Sequence, residues 1–222
     1  MLRRFVVSLT MLIAVMAACI FITAGTFDYW QAWLFLLAYT LASIAMSAWL
    51  ARADPALLER RMRGGPTAET EPAQRVIMTI TSAGFVALLV VPGLDHRFGW
   101  SPLPIVAVLF GNVLMLAGWI GIWFVFRANS FAAATIGVAE GQRVISTGPY
   151  AVVRHPMYAA ALPMLLGIPI ALGSGWGVVA MVAILPALVW RIVNEEQVLL
   201  RDLPGYADYR RRVRYRLIPL VW

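Results

Sequence analysis

The sequence has no lysine, one cysteine and two histidines. Without lysine there is no Schiff-base chemistry and no amine to serve as a general base. Cys19 has no second cysteine to pair with and lies inside an apolar run, so it carries no information on redox compartment. His96 and His155 stand far apart with few other nitrogen or sulfur ligands, which argues against a zinc or iron centre. Charge is scarce as well. Charged residues make up 13% of the chain, against about 25% in soluble domains. With 61% hydrophobic residues, that excludes a soluble monomer and a disordered chain. Familiar fingerprints are missing too. There is no GxGxxG followed by an acidic residue, no Walker motif, no HExxH and no Ser-His-Asp arrangement.

What the sequence has is long apolar runs. Uncharged stretches cover residues 5–27, 29–51, 76–94 and 101–126. Each is long enough to cross a hydrocarbon core of roughly 30 Å as a helix. The basic start Arg3-Arg4 followed by an apolar run could be a signal peptide, but the run is too long for one and reads as a retained helix. Phe27, Tyr29 and Trp30 then fall where an interfacial aromatic belt belongs. A short interfacial helix is expected over 55–63, ahead of the flexible Gly64-Gly65-Pro66. Gly111, Gly118 and Gly121 read as helix-packing positions in the fourth span.

The last run, 158–190, is anomalous. One straight helix of that length would be about 50 Å long, too long for the core. Gly173-Ser174-Gly175 in its middle is a turn signal, so the run reads as a helical hairpin. The arginines support this. With the hairpin, 17 of the 18 basic residues fall on one side of the membrane and only Arg97 on the other. By the positive-inside rule both termini are cytoplasmic, in an inner or plasma membrane. The net charge of +7 is thus a matter of topology, not of nucleic acid. The expected fold is all-α: a polytopic integral membrane protein with five or six membrane helices, a C-terminal hairpin and a cytoplasmic pocket.

Residues 127–157 form a long loop that is too apolar for a linker, so it packs. It ends in Gly148-Pro149-Tyr150, then Arg154-His155-Pro156-Met157-Tyr158. Pro156 suits the first turn of a helix, with His155 as its cap. The free N–H groups of Met157 and Tyr158, with Arg154 beside them, make a carboxylate or phosphate site. The plainer alternative is an interfacial arginine and a capping histidine. A second cluster, Arg191 with Asn194-Glu195-Glu196, ends the hairpin. Arg191 and Glu195 share a helix face, and Glu196 is turned about 100° away. The alternative is a solvated helix end with one Arg–Glu pair. The hairpin returns Glu195 to the membrane face of His155. In the tail, Tyr206 and Tyr209 share a face and could wall an adenine pocket. The neighbouring arginines read as headgroup contacts.

Gly-Pro-Tyr, Arg-His-Pro-x-Tyr, a hydrophobic hairpin, Glu-Glu and Gly-Tyr-x-x-Tyr-Arg together resemble the isoprenylcysteine carboxyl methyltransferase family. They are also similar to the phospholipid N-methyltransferases. The resemblance covers 127–222, a catalytic region following four membrane helices in 1–126. It implies S-adenosylmethionine as cofactor and S-adenosylhomocysteine as product. It implies cofactor contacts at Gln142, Arg143, Val144, Ile145, Tyr150, His155, Pro156, Met157, Tyr158 and Glu195. It places Arg191 near a substrate carboxylate. Family members often carry His where Gln142 stands. The physics adds Arg154 for the cofactor carboxylate and Tyr206 and Tyr209 for its adenine. The acceptor implied is a membrane lipid or lipidated molecule, with a carboxylate the leading target. An amine acceptor would need a base, for which Glu195 or Glu196 is the candidate. The expected catalytic set is therefore Arg191, Glu195 and Glu196, with no metal. Two other classes stay open. A sterol-type membrane reductase would use a nicotinamide dinucleotide, whose extra phosphates the tail arginines could neutralise. A scaffold or transporter would explain the spans but not the convergence of His155, Arg191 and Glu195.

Overall fold

The computed structural model describes residues 2–222, with side chains from Phe5 onward. The side chains of Arg3 and Arg4, part of the arginine count, lie outside the described residues. Eight helices follow in order: α1 (Leu2–Ala24), α2 (Trp30–Ala53), α3 (Pro55–Met62), α4 (Pro72–Phe98), α5 (Ile105–Ala128), α6 (Pro156–Ala171), α7 (Gly175–Asp202) and α8 (Tyr206–Arg212). Pro66–Ala68 and Gly148–Ala151 are single 3-10 turns. No strand occurs among the described residues; Pro102 and Ser174 make one isolated bridge. Five helices, α1, α2, α4, α5 and α7, are long and apolar enough to cross a membrane. This is the all-helical, polytopic membrane architecture expected from the apolar runs.

The helices differ from the runs in their ends. α4 begins before Val76 and continues through Asp95, His96 and Arg97. A helix needs hydrogen bonds, not apolarity, so a run marks only the part that suits hydrocarbon. α5 starts later than its run because Pro102 and Pro104 delay it. Proline stands at the first position of α3, α4 and α6, where its missing N–H costs nothing. Asp54 caps α3 by accepting from the Leu57 N–H at 2.9 Å. The hairpin turns where Gly-Ser-Gly stands. α6 has 16 residues, or about 24 Å, shorter than a hydrocarbon core of roughly 30 Å. α7 has 28 residues and extends past Glu195 and Glu196.

The chain divides into two units, each drawn from three segments of the sequence. The first unit comprises Met1–Ala48, Ser82–Gly118 and Pro163–Leu185. Its helices touch backbone to backbone. A methyl group at Gly111 would overlap the Ala171 nitrogen, and one at Gly167 would stand 2.6 Å from the Gly111 oxygen. Small residues permit this approach. At the hairpin tip Gly173 has φ +73°, open to glycine at little cost. The tip is tied down by Leu103 N–H to Gly173 O (2.9 Å) and Gly175 N–H to Ser101 O (3.1 Å). Buried Asp95 accepts from the Ser101 N–H at 2.7 Å and from the hydroxyls of Ser101 and Ser174. Tyr29 departs from the expected aromatic belt. Phe27 and Trp30 are exposed, but Tyr29 is 1% exposed, stacks on His96 and donates to the Leu172 carbonyl. A phenol that finds a free carbonyl in the turn is better satisfied inside than at the interface.

The second unit comprises Trp49–Thr81, Trp119–Leu162 and Pro186–Trp222. It gathers α3, the long loop, the tail and the adjoining ends of α2, α4, α5, α6 and α7. Leu188, Ile192 and Leu217 form one core, with Tyr158 and Trp222 against it. Leu203, Tyr206 and Tyr209 form another, with Val138, Val144 and Leu199. The packing of the loop and tail onto these cores is what the apolar content of 127–157 anticipates.

Candidate active site

The site is built from three stretches of the second unit: the loop from Asn129 to His155, the start of α6, and the α7 end with α8. Together they line an open cavity, the kind of concave site in which small ligands bind. Gln142, Arg143, Val144, Ile145, Tyr150, Arg154, His155, Pro156, Met157, Tyr158, Arg191, Glu195, Tyr206 and Tyr209 all line it. Of the expected catalytic and cofactor-binding residues, Glu196 alone does not.

The start of α6 has the expected form with one change. The His155 carbonyl accepts from the Ala159 N–H at 3.1 Å, opening the helix. The His155 imidazole does not cap it; Nε2 lies 3.3 Å from Glu196 Oε1. The N–H groups of Met157 and Tyr158 have no partner among the described residues. They are the free donors of a first helical turn, on the wall of the cavity.

Arg154 is held by a carboxylate and two carbonyls of the chain itself. Its Nε donates to Glu196 Oε1 at 2.7 Å and its Nη1 to the carbonyls of Val213 (2.9 Å) and Arg214 (2.6 Å). The tail is stitched to the same place: Arg154 N–H donates to Tyr215 O and His155 N–H to Arg216 O, both at 2.9 Å. Arg216 Nε adds a bond to Glu196 Oε2 at 3.0 Å. Glu196 thus holds Arg154, His155 and Arg216 with its side chain only 5% exposed. Its turn of about 100° from Glu195 points it to this clamp instead of the cavity.

Arg191 and Glu195 share a face but do not pair directly. The Tyr158 hydroxyl stands between them, accepting from Arg191 Nε at 3.0 Å and donating to Glu195 Oε2 at 2.6 Å. The rest of the guanidinium is held from the α3–α4 connection, the first turn of α4 and the loop. Nη1 donates to Gln74 Oε1 (2.8 Å), and Nη2 to Glu69 Oε1 (3.0 Å) and Ala134 O (3.2 Å). Glu195 Oε1 has no partner among the described residues. Half-buried on the cavity wall, it is the carboxylate oxygen left free to meet a ligand.

The aromatic wall is fixed by its own contacts. Tyr206 and Tyr209 rings are 5.7 Å apart. The Tyr209 hydroxyl donates to Tyr150 O at 2.8 Å. The Tyr150 hydroxyl accepts from Asn129 Nδ2 at 2.9 Å. Burial pushes Tyr150 up to about 12, with the Glu195 charge adding to the rise and the Asn129 bond opposing it. Burial likewise raises Tyr206 and Tyr209. All three remain neutral phenols near pH 7. The Tyr206 hydroxyl is buried with no partner among the described residues.

Sequence reasoning missed Glu69 and Gln74. A faint signal existed: Glu69 and Glu71 are acids in a stretch otherwise rich in arginine. The loop contributions of Phe131, Thr135 and Ile136 were also missed, because nothing local marks them. Among the described residues no group of His, Cys, Asp or Glu could hold a metal ion.

Residues 106–203 match the model of the phospholipid methyltransferase family. The chain is 28% identical over 133 aligned residues to the cobalt-zinc-cadmium resistance protein CzcN of Cupriavidus metallidurans, covering 53% of this chain and 61% of that protein. It is 28% identical over 101 residues to the nickel-cobalt-cadmium resistance protein NccN of Alcaligenes xylosoxydans xylosoxydans, covering 45% of this chain and 47% of that one. The chain thus spans only about half to three-fifths of the length of these relatives. The family match begins inside α5 and ends just beyond α7, taking in the loop, the hairpin and Glu195 but not Glu69 or the tail tyrosines. Its similarity is to a methyltransferase, and it falls on the part of the chain that supplies most of the cavity.

Proposed function

We propose that the chain is a membrane methyltransferase that uses S-adenosylmethionine and modifies a lipid-like acceptor. One observation carries this reading: Met157 and Tyr158, whose N–H groups are unpartnered among the described residues, and Glu195, with one oxygen free, all line one tyrosine-walled cavity. The family match over 106–203 supports it. The arginine distribution supports placing the cavity and both termini on the cytoplasmic side.

The residues fit such a cofactor. The α6 start would take its carboxylate, since helix N-termini favour anions. Glu195 Oε1 would take its ammonium or ribose hydroxyls. Tyr150, Tyr206 and Tyr209 with Val144 and Leu199 would wall its adenine. Bound there, it supplies an electrophilic methyl group on a sulfonium. The chain contributes orientation and water exclusion.

The choice of acceptor atom is our reading of where charge is left over around Arg191. A carboxylate acceptor was expected beside Arg191. Every nitrogen of that guanidinium already has a partner, with Glu69 cancelling its charge. An amine acceptor suits this geometry better. The neutral amine would attack the methyl group through its lone pair, the sulfonium sulfur would leave with the C–S electron pair, and the surplus proton on nitrogen would pass to solvent. The relatives' names concern metal resistance; among the described residues no three His, Cys, Asp or Glu side chains come together as a metal site would need.

Calorimetric titration of the detergent-purified protein with S-adenosylhomocysteine tests the reading without knowledge of the acceptor. Binding at roughly micromolar Kd, lost in Glu195→Ala at unchanged melting temperature, is expected. A folded wild-type protein that does not bind sinks the proposal. Titration with reduced nicotinamide cofactor would then test the reductase.

A further inference from the structure

We infer that Glu69 is a positioning residue of this site, setting Glu195 through Arg191 and Tyr158. The inference rests on the methyltransferase reading above. Glu69 lies outside the segment matched by the family, in the connection between α3 and α4. It is 1% exposed in a part of the chain rich in arginine.

Its two oxygens have separate tasks. Oε1 accepts from Arg191 Nη2 at 3.0 Å, and Oε2 accepts from the Ile136 N–H at 2.9 Å. One carboxylate thereby ties α7 to the loop that forms a cavity wall. Its own backbone carbonyl is held by Arg75 Nε at 2.8 Å. Gln74 completes the cradle. It accepts from Arg191 Nη1 at 2.8 Å and donates to Asn194 Oδ1 at 2.6 Å. The guanidinium therefore has one orientation, and in it Nε meets the Tyr158 hydroxyl at 3.0 Å. That bond uses the hydroxyl's lone pair and turns its proton towards Glu195 Oε2, 2.6 Å away. With Oε2 occupied, Oε1 is the oxygen presented to the cavity.

A buried ion pair of this kind is a poor way to gain stability, because desolvation offsets the attraction. An apolar pair of similar volume would serve packing as well. What it provides is a planar fork in a fixed direction with its charge cancelled. Glu69 thus also keeps Arg191 from attracting an anion into the cavity or from swinging onto Glu195 itself.

The test is a double-mutant cycle read as S-adenosylhomocysteine affinity in the full chain, using Glu69→Gln, Glu195→Gln and the double variant. A residue acting through another shows coupling, and an independent one shows additivity. Glu69→Gln is expected to weaken binding about tenfold in the wild-type background and by less than about twofold when Glu195 is already Gln. Equal weakening in both backgrounds, or none in either, overturns the inference while leaving the functional reading standing. Failure of the wild-type protein to bind overturns both. If Glu69→Gln does not fold, Glu69→Met/Arg191→Met removes both buried charges together. It is expected to fold with a melting temperature near wild type, yet to bind at least about tenfold more weakly. Wild-type affinity in that variant overturns the inference.

Discussion

The adjacent glutamates are expected to behave as opposites when each is replaced by alanine. Glu196 is the shared acceptor of Arg154, His155 and Arg216, and the Arg154 side chain is only 5% exposed. Removing one partner of a buried pair costs about 3–5 kcal/mol, because the other charge is stranded. Arg154 would keep the carbonyls of Val213 and Arg214, and Arg216 is partly solvated. The lower end, about 3 kcal/mol, is therefore the expectation for Glu196→Ala. For a chain of this length that is a fall of roughly 6–12 °C in melting temperature. Glu195 has one hydrogen bond, to Tyr158, and a free oxygen on the cavity. Glu195→Ala should move the melting temperature by no more than about 3 °C while abolishing product binding. Tryptophan fluorescence during heating, in detergent, measures both. If Glu196→Ala melts within about 2 °C of wild type, or Glu195→Ala falls as far as Glu196→Ala, the assignment of one glutamate to the clamp and the other to the cavity is wrong.

Tyr206→Phe removes a buried hydroxyl that has no partner. It should stabilise the ligand-free protein by about 1 kcal/mol, seen as a rise of roughly 2–4 °C; a fall would show that the hydroxyl is satisfied. Gly111→Ala places a methyl against the Ala171 backbone, where neither side can give. It should cost about 1–3 kcal/mol, measured as a lower melting temperature or loss of folded protein in detergent. Gly137→Ala, with open space around it, is the control and should melt as wild type does.

The membrane helices were legible because one physical requirement dominates them. Hydrocarbon demands long apolar runs, and those runs are visible one residue at a time. The hairpin was legible for a related reason: its run was too long for one helix, and Gly173-Ser174-Gly175 marked the turn. Helix ends were less legible, since α4 carries Asp95, His96 and Arg97 within its hydrogen-bonded length. Tyr29 shows the same limit at the level of a single side chain. An aromatic at the end of a run reads as an interfacial anchor, and only the position of the Leu172 carbonyl shows that it turns inward. The residues that gather at the cavity were legible through local motifs, because Arg154 to Tyr158 and Arg191 to Glu196 are each contiguous.

Partnership was the illegible part. Local rules joined Arg191 to Glu195, four residues on, and left Arg154 free for an anion. Both arginines instead find carboxylates far away in sequence, Glu69 at a separation of 122 residues and Glu196 at 42. Sequence spacing shows which side chains can meet along one helix, but not which of them another segment has already claimed. The difference bears directly on chemistry. Two free arginines would make an anion-attracting cavity suited to an acceptor carboxylate. While Arg143 on the wall has no partner among the described residues, two cancelled arginines and one free Glu195 oxygen suit the Glu195 end of the cavity to positive charge. The sulfonium and ammonium of the proposed cofactor both carry it. So does a protonated amine.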